Sequence, residues 1–248
     1  MAPAFDRKAT KKMIRPEHQE PLPERYSCVL FDMDGTLVDS ASGVTASAAE
    51  ALLSVGATIP GPDQLRRFVG PPMIDSFRAV VGLDEDRANE ALQHYRVAYA
   101  RAGALQARLY EGVEGLLQQL HSQDMPMAVA TSKVEDQAIR LTRHFGVDHF
   151  FSDVCGASDA LGRSRKDAVI AESLRRLRSR GVDTSRPVMV GDRIYDIEGA
   201  ATFRMPAIFA LWGYGEPHES VHAIATASSP SELLPLLQGT MQDSTTGQ

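Results

Sequence analysis

The sequence contains few of the residues that mark disulfide-linked or membrane-spanning proteins. Its only two cysteines, Cys28 and Cys155, are far apart and lack metal-site spacing, so we expect two buried free thiols and a reducing compartment. No run approaches the roughly eighteen apolar residues that a membrane span needs. The first 25 residues lack the apolar segment of a secretory signal. These absences predict a soluble, cytoplasmic protein.

The charge balance is mildly acidic. The 248 residues include 26 lysines and arginines against 32 aspartates and glutamates, a net charge of −6. This balance disfavours polyanions, so we expect neither nucleic acid nor an anionic membrane as a partner, while monomer and dimer both stay open. Residues 1–25 combine prolines with basic side chains and are predicted to be a flexible tail. The basic residues are Arg7, Lys8, Lys11, Lys12 and Arg15.

Short apolar runs alternate with amphipathic stretches along most of the chain. Near-continuous apolar runs are typical of strands that are buried on both faces of a parallel sheet. The predicted strands are 28–31, 127–130, 150–155, 188–190 and 207–211, and the predicted helices between them are 114–121, 135–145, 167–180 and 196–203. The pattern predicts an α/β fold with a doubly wound parallel sheet.

One connection is too long for this pattern. Roughly ninety residues separate Gly35 from Pro126, whereas a strand-helix-strand unit needs about thirty. Glycine and proline divide this stretch into four predicted helices, 42–55, 62–68, 73–81 and 84–101. We therefore predict a helical cap at 41–105, inserted into an α/β core of 26–40 and 106–248. The insert leaves the core at the carboxyl end of the first strand, where open α/β sheets bind ligands.

Two carboxylates follow the first predicted strand. Asp32 and Asp34 are two residues apart, so their side chains point the same way. Such a pair is favourable if a cation lies between the carboxylates or if one of them serves as an acid. Both conditions suit phosphoryl transfer, and Gly35 allows a sharp turn where the chain leaves the sheet.

The segment Asp32-Met33-Asp34-Gly35-Thr36 resembles the first motif of the haloacid dehalogenase superfamily, Asp-x-Asp-Gly-Thr. Other motifs of that superfamily follow in order over residues 26–238. The resemblance implies a Rossmann-like core with a cap. It also implies that Asp32 attacks phosphorus, while Asp34 protonates the leaving oxygen and then activates water.

The next two motifs contribute a hydroxyl and a cation. Thr131 matches the second motif as a phosphate ligand, and Ser132 forms a candidate capping box with Glu135, so that a helix start at Ser132 would present N–H groups to an anion. Lys166 resembles the lysine that neutralises charge on the nucleophile and the phosphate. Arg165 stays open as an alternative, because Asp167 stands where many relatives have proline.

The fourth motif supplies acidic residues after the predicted strand 188–190. Gly191-Asp192 and Asp196 resemble Gly-Asp-x-x-x-Asp, which implies that Asp192, Asp32 and the backbone carbonyl of Asp34 bind Mg²⁺. These hard oxygen donors suit magnesium. Asp196 either acts near the metal or caps the following helix.

Together these features predict a Mg²⁺-dependent phosphomonoesterase that acts on a small phosphometabolite through an aspartyl phosphate. The stretch Arg66-Arg67-Phe68-Val69-Gly70-Pro71-Pro72 resembles the substrate loop of phosphoglycolate phosphatase-like members, so Arg67 is a candidate substrate ligand and phosphoglycolate the first substrate. The alternatives are a nucleoside monophosphate, a sugar phosphomutase reaction, and a noncatalytic sensor of phosphometabolites. Trp212 and Tyr214 are predicted to pack rather than to act.

Overall fold

The computed structural model describes residues 26–238, without the side chains of residues 104 and 105. The predicted tail, residues 1–25, lies outside this range. Eight strands occur within it: β1 Cys28–Phe31, β2 Val38–Asp39, β3 Arg108–Leu109, β4 Met127–Val134, β5 Asp153–Ala157, β6 Pro187–Gly191, β7 Ala207–Ala210 and β8 Ala225–Ala227. The helices are α1 Ala41–Ser54, α2 Pro62–Arg66, α3 Met73–Val81, α4 Glu85–Arg101, α5 Val113–Ser122, α6 Glu135–His144, α7 Lys166–Ser179, α8 Ile194–Ala201 and α9 Pro230–Leu237.

Six strands form one parallel sheet in the order β5-β4-β1-β6-β7-β8. Strand β1 lies near the middle, and its Phe31 is in register with Val129 of β4 and with Val190 of β6. The chain segments that follow β1, β4 and β6 therefore meet at one edge of the sheet. The doubly wound α/β fold predicted from the sequence is confirmed.

Alternate residues of β1 pack into different hydrophobic clusters. Val29 and Phe31 belong to a cluster that includes residues of α5, α6 and α9, whereas Cys28 and Leu30 belong to one that includes residues of α7 and α8. This burial on both faces explains why the strands are nearly continuous apolar runs. Cys28 and Cys155 are buried free thiols.

Helices α1 to α4 lie between β2 and β3 and are called the inserted helices below. They share a third hydrophobic cluster, which includes Val44, Phe68, Phe77 and Tyr99. Strands β2 and β3 pair antiparallel where the chain leaves the core and returns to it. The division into core and cap stays a prediction. Across residues 26–238, we find no helix with the length and apolar character needed to cross a bilayer.

Candidate active site

The predicted catalytic residues meet at the carboxyl edge of the sheet. Asp32 directly follows β1, and its backbone N–H donates to the carbonyl oxygen of Val190 at 2.9 Å. Thr131 lies within the neighbouring β4, and Asp192 directly follows β6 on the other side. Parallel pairing thus brings together side chains that are 61 to 160 residues apart in sequence.

Lys166 joins two carboxylates in the buried part of the site. Its Nζ lies 2.8 Å from Oδ1 of Asp32 and 2.7 Å from Oδ1 of Asp196, and it donates to the carbonyl oxygen of Ala130 at 3.1 Å. Burial alone would lower the pKa of Lys166, but the two carboxylates raise it above its usual value, so the ammonium stays charged. Arg165 is exposed and pairs with Asp167 instead, which favours Lys166 as the functional cation.

The Asp192 carboxylate is fixed by two donors. Its Oδ1 accepts from the hydroxyl of Thr36 at 3.2 Å, and its Oδ2 accepts from the backbone N–H of Tyr214 at 2.8 Å. Gly35 passes directly beside this carboxylate with φ of +91°, and a Cβ atom at Gly35 would overlap the carboxylate oxygens. The glycine in the first motif is therefore needed both for the turn and for the close approach.

Three buried carboxylates, those of Asp32, Asp192 and Asp196, have oxygen atoms within 4.8 Å of one another. Burial and the negative charges of Asp32 and Asp196 raise the pKa of Asp192 well above its usual value. Burial, together with the charge of Asp32, raises the pKa of Asp196 to about 6, against the opposing effect of Lys166. A cation among these oxygens would relieve the repulsion, and the all-oxygen donor set fits Mg²⁺.

Asp196 caps the following helix and also lies in the three-carboxylate cluster, while its role near a metal stays a prediction. It is the third residue of α8, and its Oδ2 accepts from the backbone N–H of Arg193 at 3.1 Å, as in a capping box. Its Oδ1 faces Lys166. The Asp34 side chain lies outside the three-carboxylate cluster, and the role of its backbone carbonyl as a metal ligand stays a prediction.

A family model described as haloacid dehalogenase-like hydrolase matches residues 29–210. The chain belongs to the haloacid dehalogenase-like hydrolases. The family predicted from the sequence is confirmed. The matched range includes Asp32, Asp34, Thr131, Lys166, Asp192 and Asp196.

Several proteins with names, and one solved structure, are similar to this chain. The tyrosine-protein kinase PtkA of Mycobacterium tuberculosis is 42% identical over 192 residues, which cover 77% of this chain but only 64% of PtkA. A 5'-nucleotidase of Pseudomonas aeruginosa is 33% identical over 85% of this chain and 96% of its own length. The crystal structure of a predicted phosphatase from Clostridium acetobutylicum has a TM-score of 0.78 and 33% identity, and it covers 84% of this chain and 96% of that one. The hydrolase family shown by the match agrees with the hydrolase class expected from the sequence.

Lys133 is a site residue of this haloacid dehalogenase-like hydrolase that the sequence reasoning missed. Its Nζ lies 3.0 and 2.8 Å from the two carboxylate oxygens of Asp34 and 4.6 Å from the ring centroid of Tyr99 on α4. Burial would lower the pKa of Lys133, but the Asp34 carboxylate raises it above its usual value. In the sequence, the one sign of this role was the position of Lys133 directly after Thr131 and Ser132. Its partner Asp34 lies 99 residues earlier, so the contact could not be seen from neighbouring residues.

The predicted capping box at Ser132 is wrong. Strand β4 continues to Val134, helix α6 begins at Glu135, and Val134 occupies the N-cap without a side-chain hydrogen bond. The reason is tertiary: Val134 pairs with Ala157 of β5, which keeps this segment extended. The side chain of Glu135 instead accepts from the backbone N–H of Gly156 at 3.1 Å.

A cavity of about 350 Å³ opens between the strand ends and the inserted helices and is called the catalytic cavity below. From the core it is lined by Asp32, Asp34, Thr131, Ser132 and Lys133, so the predicted phosphate ligands reach it. Arg67 is exposed at the end of α2 and is not among the residues that line this cavity. Its role as a substrate ligand stays a prediction that the geometry does not support.

Proposed function

We propose that this hydrolase is a Mg²⁺-dependent phosphomonoesterase that forms an aspartyl phosphate on Asp32. The observation that carries the proposal is the pairing of the Asp32 carboxylate with Lys166 at 2.8 Å, beside the buried carboxylates of Asp192 and Asp196. One carboxylate is thus held as a charged nucleophile at the end of a rigid strand. The others form an oxygen-rich site for a divalent ion.

Asp32, Asp192 and Asp196 are the side chains that would hold Mg²⁺ or orient its ligands. When bound, the ion supplies positive charge that offsets the charge of the phosphoryl oxygens. Lys166 adds a second positive charge beside Asp32. Thr131 and Ser132 line the cavity, and their hydroxyl groups are suited to hold the remaining phosphoryl oxygens.

The proposed reaction has two steps. The Asp34 carboxylate pairs with Lys133 in this structure, and it takes up a proton from solvent before the first step. A carboxylate oxygen of Asp32 then attacks phosphorus, the bond from phosphorus to the leaving oxygen breaks, and Asp34 donates its proton to that oxygen. Asp34 then accepts a proton from water, the water oxygen attacks phosphorus, and the bond to Asp32 breaks. Phosphate leaves, and both carboxyl groups return to their starting states.

The walls of the catalytic cavity favour a substrate whose leaving group carries no charge. The inserted helices and their loops contribute mainly apolar residues, among them Val44, Phe68, Met73, Ile74 and Leu92. The two cations in the walls are already paired, Lys133 with Asp34 and Arg96 with Asp159 at 2.6 Å. A small carboxylate such as phosphoglycolate would need a cation that is not paired within the protein. We therefore place a nucleoside monophosphate before phosphoglycolate as the substrate.

The test of the reaction is phosphate release from p-nitrophenyl phosphate with and without Mg²⁺, followed by mass spectrometry of acid-quenched enzyme. We expect Mg²⁺-dependent release and a phosphorylated peptide that contains Asp32. In Asp34→Asn enzyme the phosphopeptide should persist, since removing a general acid-base group slows turnover by roughly 10²–10⁴-fold. Normal activity in Asp32→Asn enzyme would refute the proposal.

The test of the substrate is a comparison of kcat/KM across nucleoside monophosphates, phosphoglycolate, sugar phosphates and phosphotyrosine. Preference for phosphoglycolate would overturn our order of substrates but not the reaction. Isomerisation of a hexose 1-phosphate without net phosphate release would favour a phosphomutase, and tight binding without turnover a sensor. Because PtkA is named a tyrosine kinase, one further reaction contains ATP and a tyrosine polymer; phosphotyrosine formation there would contradict the hydrolase proposal.

A further inference from the structure

A second cavity, of about 660 Å³, lies where the inserted helices join the core, and we call it the hinge cavity. None of the residues that line it also lines the catalytic cavity. Its walls come from the β2–β3 ribbon, the first turn of α1, helix α2 and the loop after β7. Its volume falls within the range of roughly 300–1,000 Å³ that is usual for small-molecule sites.

Three aromatic residues line the hinge cavity: Tyr110, Trp212 and Tyr214. The polar ends of two of them already bond to the protein. The indole N–H of Trp212 donates to the carbonyl oxygen of Thr36 at 3.0 Å, and the hydroxyl of Tyr214 donates to Oδ1 of Asp39 at 2.9 Å while accepting from the N–H of Ser40 at 2.7 Å. What these residues can still offer a ligand is ring surface, which suits a flat aromatic molecule.

Two guanidinium groups lie in the same walls. Arg108 is paired with Asp39, with its Nη2 2.9 Å from Oδ2, so the negative charge of Asp39 is already balanced. Arg66 lies at the end of α2, is exposed, and forms no ion pair within residues 26–238. One positive charge is thus left over for a ligand, and a guanidinium suits phosphate or carboxylate oxygens.

From these walls we infer that the hinge cavity is a binding site for an aromatic anion of the nucleotide class, distinct from the catalytic cavity. The ring of the ligand stacks on the aromatic wall, and its anionic group lies at Arg66. Such a ligand contacts the loop after β7. This loop also fixes the carboxylate of Asp192, because the backbone N–H of Tyr214 donates to it. The inference does not depend on the proposed phosphatase activity.

The experiment uses Trp212, the only tryptophan of the chain, as the reporter. Asp32→Asn protein is titrated with ADP, adenosine and pyrophosphate while its fluorescence is recorded. ADP carries both the ring and the anion, adenosine only the ring, and pyrophosphate only the anion. We expect saturable quenching by ADP, with an apparent Kd at least tenfold lower than that of adenosine, and no quenching by pyrophosphate.

Variants locate the signal in the hinge cavity. Arg66→Gln should raise the apparent Kd for ADP about tenfold, and Ser42→Phe should abolish quenching because Ser42 lines the cavity. The matched control is Ser54→Phe at the other end of α1. Both serines are exposed and donate to a backbone carbonyl, Ser42 to that of Gln106 at 2.9 Å and Ser54 to that of Glu50 at 3.0 Å. Ser42 lines the hinge cavity and Ser54 does not. Absence of saturable quenching, or quenching that Ser42→Phe and Arg66→Gln leave unchanged, would overturn the inference.

Discussion

The side chains of Asp34 and Lys133 depend on each other because Lys133 is buried, with 5% of its side chain exposed, and Asp34 balances its charge. Asp34→Asn removes that counter-charge and leaves an ammonium in an apolar setting beside Tyr99. Removing one partner of a buried pair costs about 3 kcal/mol or more. Urea unfolding of Asp34→Asn protein should therefore show a loss of that order in the free energy of unfolding.

Adding Lys133→Met to Asp34→Asn tests this account. The double variant should regain most of the lost stability, because it removes the unpaired ammonium and leaves an apolar side chain of similar length. Catalysis should not return, since Asp34 is still absent. Equal destabilisation in the single and double variants would mean that charge is not the cause.

Gly35 is the residue that lets the strand end approach the carboxylate of Asp192. Gly35→Ala should lower the affinity for Mg²⁺ by about 10–100-fold, the usual cost of disturbing groups that orient a metal ligand. Calorimetric titration of Mg²⁺ measures this affinity. The matched control is Gly115→Ala in α5, because a Cβ atom there meets no other atom within 4 Å. A normal Mg²⁺ affinity in Gly35→Ala protein would contradict the assigned site.

At the scale of elements, helix bounds were predictable where the signals are local. Helix α3 was predicted at 73–81 and is observed at Met73–Val81, because Gly82 ends it in the left-handed conformation. Helix α4 begins one residue after the predicted position, and Asp84 caps it by accepting from the N–H of Arg87. Glycine and aspartate act here within a few residues, so the sequence alone carries the information.

Elements that depend on distant partners were not predictable in the same way. The extension of β4 to Val134 requires pairing with β5, and the two-residue strands β2 and β3 exist only because residues about seventy positions apart pair. Strand β8 and helix α9 were also missed. The partner of Lys133 is equally remote. The motifs therefore identified the residues that follow the strands, but not the contact between Asp34 and Lys133.

Helix α6 is held to its neighbours by Glu135. Its carboxylate lies 2.6 Å from Nη2 of Arg163 and 3.1 Å from Nη2 of Arg176, in addition to its bond with the N–H of Gly156. Glu135→Gln removes the nearer carboxylate from the buried guanidinium of Arg163, which keeps only Glu172 at 4.0 Å, and should cost about 2–3 kcal/mol in unfolding free energy. Asp136→Asn, an exposed change in the same turn, should alter it by less than about 0.5 kcal/mol. Similar losses in both variants would point to a general effect on the helix.

At the scale of the whole molecule, the three buried carboxylates make stability depend on both pH and metal. The pKa of Asp196 is raised from 3.8 to about 6 in the folded state, and that of Asp192 is raised well above 3.8. The folded protein thus binds protons more tightly than the unfolded chain. Below about pH 4, where these carboxyl groups are protonated in both states, they do not lower the free energy of unfolding. Without metal, that free energy falls as pH rises through about 6, because the folded protein must then lose protons that it binds more tightly than the unfolded chain does.

Mg²⁺ should reverse this cost only where the carboxylates are ionised, because protons and the ion compete for the same oxygens. We therefore expect no increase in Tm on adding Mg²⁺ at pH 4.5 and a clear increase at pH 8. At a concentration a hundred times the Kd, the gain corresponds to about 2.7 kcal/mol. Asp192→Asn protein should show little gain at either pH. The same gain at both pH values in the unaltered chain would mean that the ion binds elsewhere. Binding to the three buried carboxylates would have to displace protons at pH 4.5 and would therefore be weaker there.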